Sequence, residues 1–456
     1  MRRLVVSLAV IAAFVLPPVN AGALPTLPPL AASPNVMLLG NIPGSFAGMV
    51  FKDHYAFATG WATGLTVFDI AVAAAPVPVG VLPLPHFENE DVDLCGNTLL
   101  IANDRVEADI GGVLHVIDIT NPSLPTLAAS LPLGLTGEGR GPGHIANFVT
   151  ADCSLAWIDG GDDVEVVDLS HPTAPVSLGT FQSRAATGPN PDEPGAFVVT
   201  HDTERDSTGT LWSVGGGGVA GYQLTNDPLQ PHLVAASGRN GVNIDFDDTN
   251  SRFNDFILHN SQRASSDVLL ITEEDYIDTD QAQPGSCNGQ GKFETWRIET
   301  GGREMHPLDT WTTELNGFLT GGTATDSKAP VTVNCSSHWF DYRGGVAAVG
   351  WYEQGVRFLD VRNPRDIRQV GYYLPAAGST WAAYWSPTAS DIVYTADAYR
   401  GIDVLRITGA TSPLAPAVQA PVPSSWFGTV GLPSSVPGFQ PDELFGWSCA
   451  LPTGQL

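Results

Sequence analysis

Lysine and arginine are scarce: 21 in 456 residues, against 48 aspartates and glutamates, for a formal net charge of −27 at pH 7. A surface this acidic repels nucleic acid and anionic lipid, so neither is an expected partner. Long apolar runs are nearly missing as well. Leu4–Leu16 is one, and it is too short for a comfortable membrane span. No long helical period runs through the chain. There is no glycine-rich phosphate loop before a helix: the run Gly215–Gly218 lies between two strand-like segments and reads as a strand-end turn. Cysteine is sparse and odd in number, at five, and no Ser/His/Asp order is assignable among the many turn serines and aspartates.

What is present is a repeat. One strand pattern occurs seven times: LTVFDI (Leu65–Ile70), LHVIDI (Leu114–Ile119), VEVVDL (Val164–Leu169), VAGYQL (Val219–Leu224), FETWRI (Phe293–Ile298), VRFLDV (Val356–Val361) and IDVLRI (Ile402–Ile407). The copies start 46 to 74 residues apart. A strand precedes each copy, and a turn rich in Asn, Asp and Pro often follows, as in DITNPSLP and DVRNPRD. Further strands fill the intervals, making four per unit, labelled A to D from the axis outward. The 49 glycines and 36 prolines suit such a strand-and-turn chain. The fold class expected is all-β, a seven-bladed β-propeller of four-stranded blades. The seventh copy has no D strand after it. A spare D-like strand, Asn35–Pro43, precedes the first A strand and is expected to complete the seventh blade, leaving no open edge.

The expected domain layout is a signal peptide over residues 1–23, the propeller over 34–408 and a Pro-rich tail over 409–456 that packs on it. Arg2 and Arg3, the run Leu4–Leu16 and the small residues Ala21-Gly22-Ala23 make up a leader with its cleavage site. No cysteine lies near that site, so a lipid anchor is not expected. The mature protein is expected to be secreted, from a bacterium by the look of the leader, and monomeric. Cys95 and Cys153 occupy similar places near the A-to-B turns of neighbouring blades and can meet; Cys287, Cys335 and Cys449 leave one over. Insertions over Asp278–Lys292 and Asn316–Pro330 read as loops.

Five of the ten histidines fall in the A strands of consecutive blades: His86, His144, His201, His259 and His338. A strands line the axis, so imidazoles there can converge on a transition metal such as iron, copper or zinc. Carboxylates near the same face, Glu88, Glu90 and Glu273 above all, are candidates to orient the histidines or to bind a hard cation such as Ca2+ directly. Asp104, Asp159, Glu274, Asp275, Glu353 and Asp397 also follow B strands. By residue count, His86 and His144 lie farther from their A-to-B turns than the other three, which suggests two depths along the axis. A wet channel lined by polar side chains would use the same residues with no metal.

The phrases VIDITNP, VVDLSHP and FLDVRNP, with HNSQR (His259–Arg263) and LLITEED (Leu269–Asp275), resemble the bacterial LVIVD-repeat family over about Asn35 to Ile407. The resemblance implies a secreted or cell-surface propeller and little about activity. In architecture and histidine placement the chain is also similar to the carotenoid-cleavage oxygenases and the selenium-binding proteins, without a motif specific to either. Two functions are therefore open. One is an exported metal-dependent oxidoreductase acting on a small-molecule substrate. The other is a non-enzymatic propeller that binds an extracellular protein, glycan or cell-wall ligand through its loops, using exposed rim aromatics such as Trp339, Trp351, Trp381 and Trp385.

Overall fold

The computed structural model describes residues 28–60, 63–84, 90–103, 112–134, 143–187, 199–237, 257–274, 291–299, 301, 304–305, 307–315, 333, 336–409, 412 and 415–426. Within these the strands form seven antiparallel four-stranded sheets, the blades of a propeller. Blade one runs from Met49–Lys52 on the axis to Val77–Pro83 at the rim, and blade two from Asp93–Cys95 to Thr126–Pro132. Blade three spans Ala146–Phe148 to Val176–Phe181, and blade four Thr200–Arg205 to His232–Ser237. Blade five spans Ile257–Arg263 to Pro307–Trp311, and blade six Phe340–Arg343 to Arg368–Leu374. Two blades carry a two-residue extra edge: Ala31–Ala32 beyond blade six and Glu304–Met305, parallel, beyond blade four.

Blade seven closes the ring as the spare strand suggests. Thr380–Trp385, Ile392–Asp397 and Ile402–Ile407 are followed at the rim by Val36–Ile42 from the other end of the chain, in register from Val36↔Ile407 to Ile42↔Ile402. Asn35 fastens the start of this strand by donating from Nδ2 to Val370 O, 2.9 Å away on blade six.

The repeated acidic residue at the end of the C strand has a local job. Asp118 Oδ1 accepts from Thr120 N at 2.7 Å, Asp168 Oδ1 from Ser170 N at 2.8 Å, and Asp69 Oδ1 from Ala71 N at 2.8 Å. These are Asx turns, in which the side chain replaces a backbone acceptor and bends the chain toward the D strand. The Thr120 hydroxyl and amide hold the Asp118 carboxyl below its ordinary pKa. All seven C–D pairs then contain a register shift, for example between Val67 and Phe68 and between Leu38 and Gly40. A bulge adds local twist, and each blade takes that twist at the same place. In blade one a small residue is needed there: a Cβ on Gly80 would come within 2.9 Å of Pro122 O in the next blade's turn.

B and C strands are buried on both faces, so they read as continuous apolar runs. One apolar cluster fills each junction between neighbouring blades, such as Phe57, Leu65 and Val67 of blade one against Leu99, Ile101 and Ile117 of blade two. The junction of blades seven and one is filled by Tyr384, Tyr394 and Val404 against Phe46, Met49 and Phe68. Cys95 and Cys153 form a disulfide with Cα atoms 5.6 Å apart, joining the inner hairpins of blades two and three. Of the tail, Ala420 and Trp426 are buried against Tyr372 and Leu374 of blade six. No described helix is long and apolar enough to cross a membrane.

Candidate metal centre

Inner strands reach the axis at one face, and there the backbone departs from regular pairing in a repeated way. The A–B pairing of blade four shifts between Thr200 and Asp202, leaving His201 as the extra residue, and that of blade five shifts between Leu258 and Asn260, leaving His259. A bulge of this kind re-aims one side chain out of the sheet. In blade three the amides of Gly143 and His144 both donate to Asp159 O, at 3.0 and 3.1 Å, and in blade six His338 N donates to Gly350 O at 3.0 Å. Glycine at the ends of these B strands gives the next segment room. A Cβ on Gly160 would fall 2.5 Å from His144 Cβ, and one on Gly350 would fall 2.3 Å from Trp381 O.

The result is a staircase of imidazoles. Ring centroids are 4.6 Å apart for His144 and His201, 3.9 Å for His201 and His259, and 4.0 Å for His259 and His338. All four are 4 % exposed or less. His144 lies in ring contact with His201 despite its longer residue count to the turn, and His86 lies outside the described residues. Residue count to the turn is not depth, because the A–B turns differ in length and bulges absorb residues.

A fifth group completes the cluster. Glu90 precedes the A strand of blade two and occupies the place in that blade that His144 takes in blade three. Its carboxylate is 2 % exposed. Oε2 lies 2.6 Å from His144 Nε2, while Oε1 lies 3.4 Å from His259 Nε2, 3.4 Å from His338 Nε2 and 3.9 Å from His201 Nε2. Glu90 therefore stands among the imidazoles as a direct partner, not behind them. His86 and Glu88 lie outside the described residues. Glu273 points elsewhere: its Oε2 is 3.4 Å from Lys292 Nζ and accepts from Lys292 N. Its neighbour Glu274 takes the place expected of it, with Oε2 3.9 Å from His259 Nε2 and Oε1 bonded by the Tyr352 hydroxyl. Asp397 is spent on the backbone of Ser379, Tyr399 and Arg400; Asp104 and Asp275 lie outside the described residues.

Outer contacts set the tautomers. His201 Nδ1 lies 2.8 Å from His259 O, and His338 Nδ1 lies 3.0 Å from Trp381 O. A carbonyl accepts only from a protonated nitrogen, so each Nδ1 carries the hydrogen and each Nε2 turns a lone pair toward Glu90. His144 Nε2 and His201 Nε2 are 3.0 Å apart. Burial, with the neighbouring imidazoles, drives His201 and His338 well below the ordinary histidine pKa, and His259 is lowered mainly by burial. Burial alone would raise Glu90, but His144 and its neighbours outweigh it and hold the carboxyl well below the usual range. Three rings held below the ordinary histidine pKa, with His144 beside the ionised Glu90 carboxylate, make a set of donors suited to a transition metal. Among the described residues the donors gather as three overlapping triads, Glu90–His144–His201, Glu90–His259–His338 and His201–His259–Glu274, each with its ligand atoms within 4.8 Å of one another. These groups can hold a metal ion.

The rest of the axis differs in kind. Glu204 is pushed to about 8 by burial and by Asp93 and Asp341, and Asp159 to about 7 by burial. Trp339, Trp351, Trp381 and Trp385, expected as exposed rim aromatics, are all buried, at 6 % exposure or less. They pack between blades and beside the histidines, with the Trp381 ring 4.7 Å from His338.

The LVIVD repeat matches residues 107–131, which contain the C strand of blade two, Val113–Asp118. The match is consistent with an LVIVD-repeat family. No curated protein matches this chain. Among solved structures it is similar to the RRP9 WD40 repeats (10 % identity, TM-score 0.50, covering 82 % of this chain and 98 % of that one). It is similar also to the WD40 β-propeller domain of Doa1 (9 %, TM-score 0.50, 83 % and 99 %). A third is the β-propeller domain of Myceliophteria thermophila Cps50 (Swd1) (8 %, TM-score 0.50, 81 % and 99 %). Likeness at this identity shows the fold alone.

Proposed function

We propose that this LVIVD-repeat propeller is an exported metal-dependent oxidoreductase, with a transition metal held on the axis by Glu90, His144, His201, His259 and His338. The observation that carries the reading is the convergence of four buried imidazoles from four successive blades on one buried carboxylate. Holding blades together does not require this. Bringing two Nε2 atoms to 3.0 Å in a dry site is unfavourable unless a proton or a cation lies between them. Imidazole-rich donors favour iron, copper or zinc over Ca2+, which takes six to eight oxygens.

Iron or copper bound here would supply one-electron chemistry, whereas zinc would supply Lewis acidity alone. The chain's own residues prepare the place. His259 O and Trp381 O fix the rings of His201 and His338. Glu90 offsets the positive charge, and the Tyr352 hydroxyl holds Glu274 on the far side of His259. Blades seven and one offer Trp381, Ala47 and Ala398, which keep that flank apolar. A small-molecule substrate suits a site this enclosed. The four tryptophans offered for ligand binding at the rim, Trp339, Trp351, Trp381 and Trp385, are buried.

Export is supported by the leader motif Arg2-Arg3 with Leu4–Leu16 and by the Cys95–Cys153 disulfide, which suits an oxidising compartment. N-terminal sequencing of secreted protein should start near Gly22 or Leu24; intact Met1 on cytoplasmic protein contradicts export. Elemental analysis of protein purified without a His tag, followed by anaerobic reduction and re-oxidation in air, tests the function. Bound iron or copper that cycles supports it. Zinc alone retains the site and removes the oxidoreductase, and absence of metal in both isolated and metal-reconstituted protein removes both.

A further inference from the structure

The two oxygens of Glu90 face different imidazoles. Oε2 lies 2.6 Å from His144 Nε2, and Oε1 lies 3.4 Å from both His259 Nε2 and His338 Nε2 and 3.9 Å from His201 Nε2. His201 stands with His144, their Nε2 atoms 3.0 Å apart. No triad of donors holds more than two imidazoles, and two of the three triads share Glu90 while dividing the histidines into His144–His201 and His259–His338. The third triad crosses that division: Glu274 meets His201 and His259, one from each pair.

We propose that the axial centre is dinuclear, with Glu90 bridging two transition-metal ions, one held by His144 and His201 and the other by His259 and His338. The inference rests on the metal-centre reading above and adds its stoichiometry. A carboxylate has one oxygen for each ion, and Glu90 turns Oε2 to His144 and Oε1 to His259 and His338, with His201 Nε2 3.9 Å from Oε1. Paired ions in such sites stand about 3.5–4 Å apart, a spacing that a bridging carboxylate spans. Each ion then has two imidazoles and one carboxylate oxygen from the protein, three ligands with positions left open, as catalytic sites require. Glu274, held by Tyr352, faces the pairs from another side and can close the bridge. A single ion bound by all four rings would leave one Glu90 oxygen without a role in a site where every other donor is buried. It would also require His144 and His338, at opposite ends of the staircase, to reach one point. A pair of ions needs only neighbouring rings to cooperate; centroids within the pairs stand 4.6 and 4.0 Å apart, and those of His201 and His259 across them 3.9 Å.

Metal-free full-length mature protein titrated with Cu2+ and read by native mass spectrometry should take up two ions per chain. Electron paramagnetic resonance of the filled protein should show much less signal than its total copper, because the two spins couple. The double variants H144A/H201A and H259A/H338A should each retain one ion, with a full uncoupled signal. A single ion in the parent, lost completely in either double variant, overturns the dinuclear centre and leaves the metal-centre reading standing. No copper in the parent overturns both. Circular dichroism identifies a variant that has not folded. In that event the parent's stoichiometry and spin count decide alone.

Discussion

Blades five and seven use the same backbone device for different ends. The A–B pairing of blade five shifts at His259 and that of blade seven shifts at Trp381, between Thr380 and Ala382. Both residues are pushed out of their sheets toward the axis, and both are buried. One presents an imidazole to Glu90, whereas the other stacks an indole beside His338 and offers only its carbonyl. The repeat thus supplies a convergent position in blade after blade, and the side chain chosen there supplies the chemistry. Blades two to six carry Glu90 and the four histidines. Blades seven and one carry apolar residues and the joint that closes the ring.

Breaking the joint should have the largest effect. Deleting Asn35–Pro43 removes the strand paired with Ile402–Ile407 and opens an edge on an apolar blade. The deleted protein should be aggregated or insoluble; a variant as soluble and heat-resistant as the parent would contradict closure by this strand. A smaller change compares the two bulge residues directly. Trp381→Ala should cost the metal-free protein about 3–5 kcal/mol, the range for emptying a large aromatic site. His259→Ala should cost less than half of that, because it also relieves crowding among the imidazoles. Urea unfolding of both variants measures the difference, and equal losses would mean that His259 is a core support.

On the polar side, the disulfide between blades two and three steadies the segments that bear Glu90 and His144. Its 58-residue separation sets an entropic contribution of roughly 4 kcal/mol, less any strain or residual structure. Reduction under urea should lower stability by up to that amount, and an unchanged midpoint would show that the blade junction alone fixes the two segments.

The smallest effect should come from pH. Glu204 and Asp159, at about 8 and about 7 in the folded protein, lie above their unfolded values of roughly 4. A raised carboxyl gives stability that is full below the unfolded pKa and is lost as pH climbs through the folded one. The depressed histidines act in the opposite sense, but only below about 6.5. The metal-free protein should therefore lose stability between about pH 6.5 and 8, and Glu204→Gln should flatten that slope. A parent that melts higher at pH 8 than at 6.5 would reverse the sign.

Much of the fold was legible because its signals are local and repeated. The recurring strand pattern marks seven blades, four of its copies ending in an Asp that makes its own Asx turn, and a missing D strand at one end matched a spare one at the other. The four histidines were legible because one falls in each of four successive inner strands. Glu90 was harder to read as a direct partner. It is the same position filled by a different residue type, and only the hairpin register equates it with His144. The contact between His144 and His201 was hard to foresee from residue counts, which ignore bulges and turn length. The tryptophans misled for a related reason. A large aromatic near a blade end reads as rim, yet the shift at Trp381 turns it inward, and Trp351 is sealed against Trp311 of the neighbouring blade. The sequence marks strands well, but it does not say which way a residue faces once the pairing slips.

The central claim is that the imidazoles on the axis are metal ligands. Its most direct test is the metal content of untagged parent and His259→Ala proteins, purified side by side, with circular dichroism showing that both are folded. The account predicts metal bound to the parent and at least half of it lost from the folded variant. Equal metal in both, or none in the parent even after incubation with iron, copper or zinc, would contradict it.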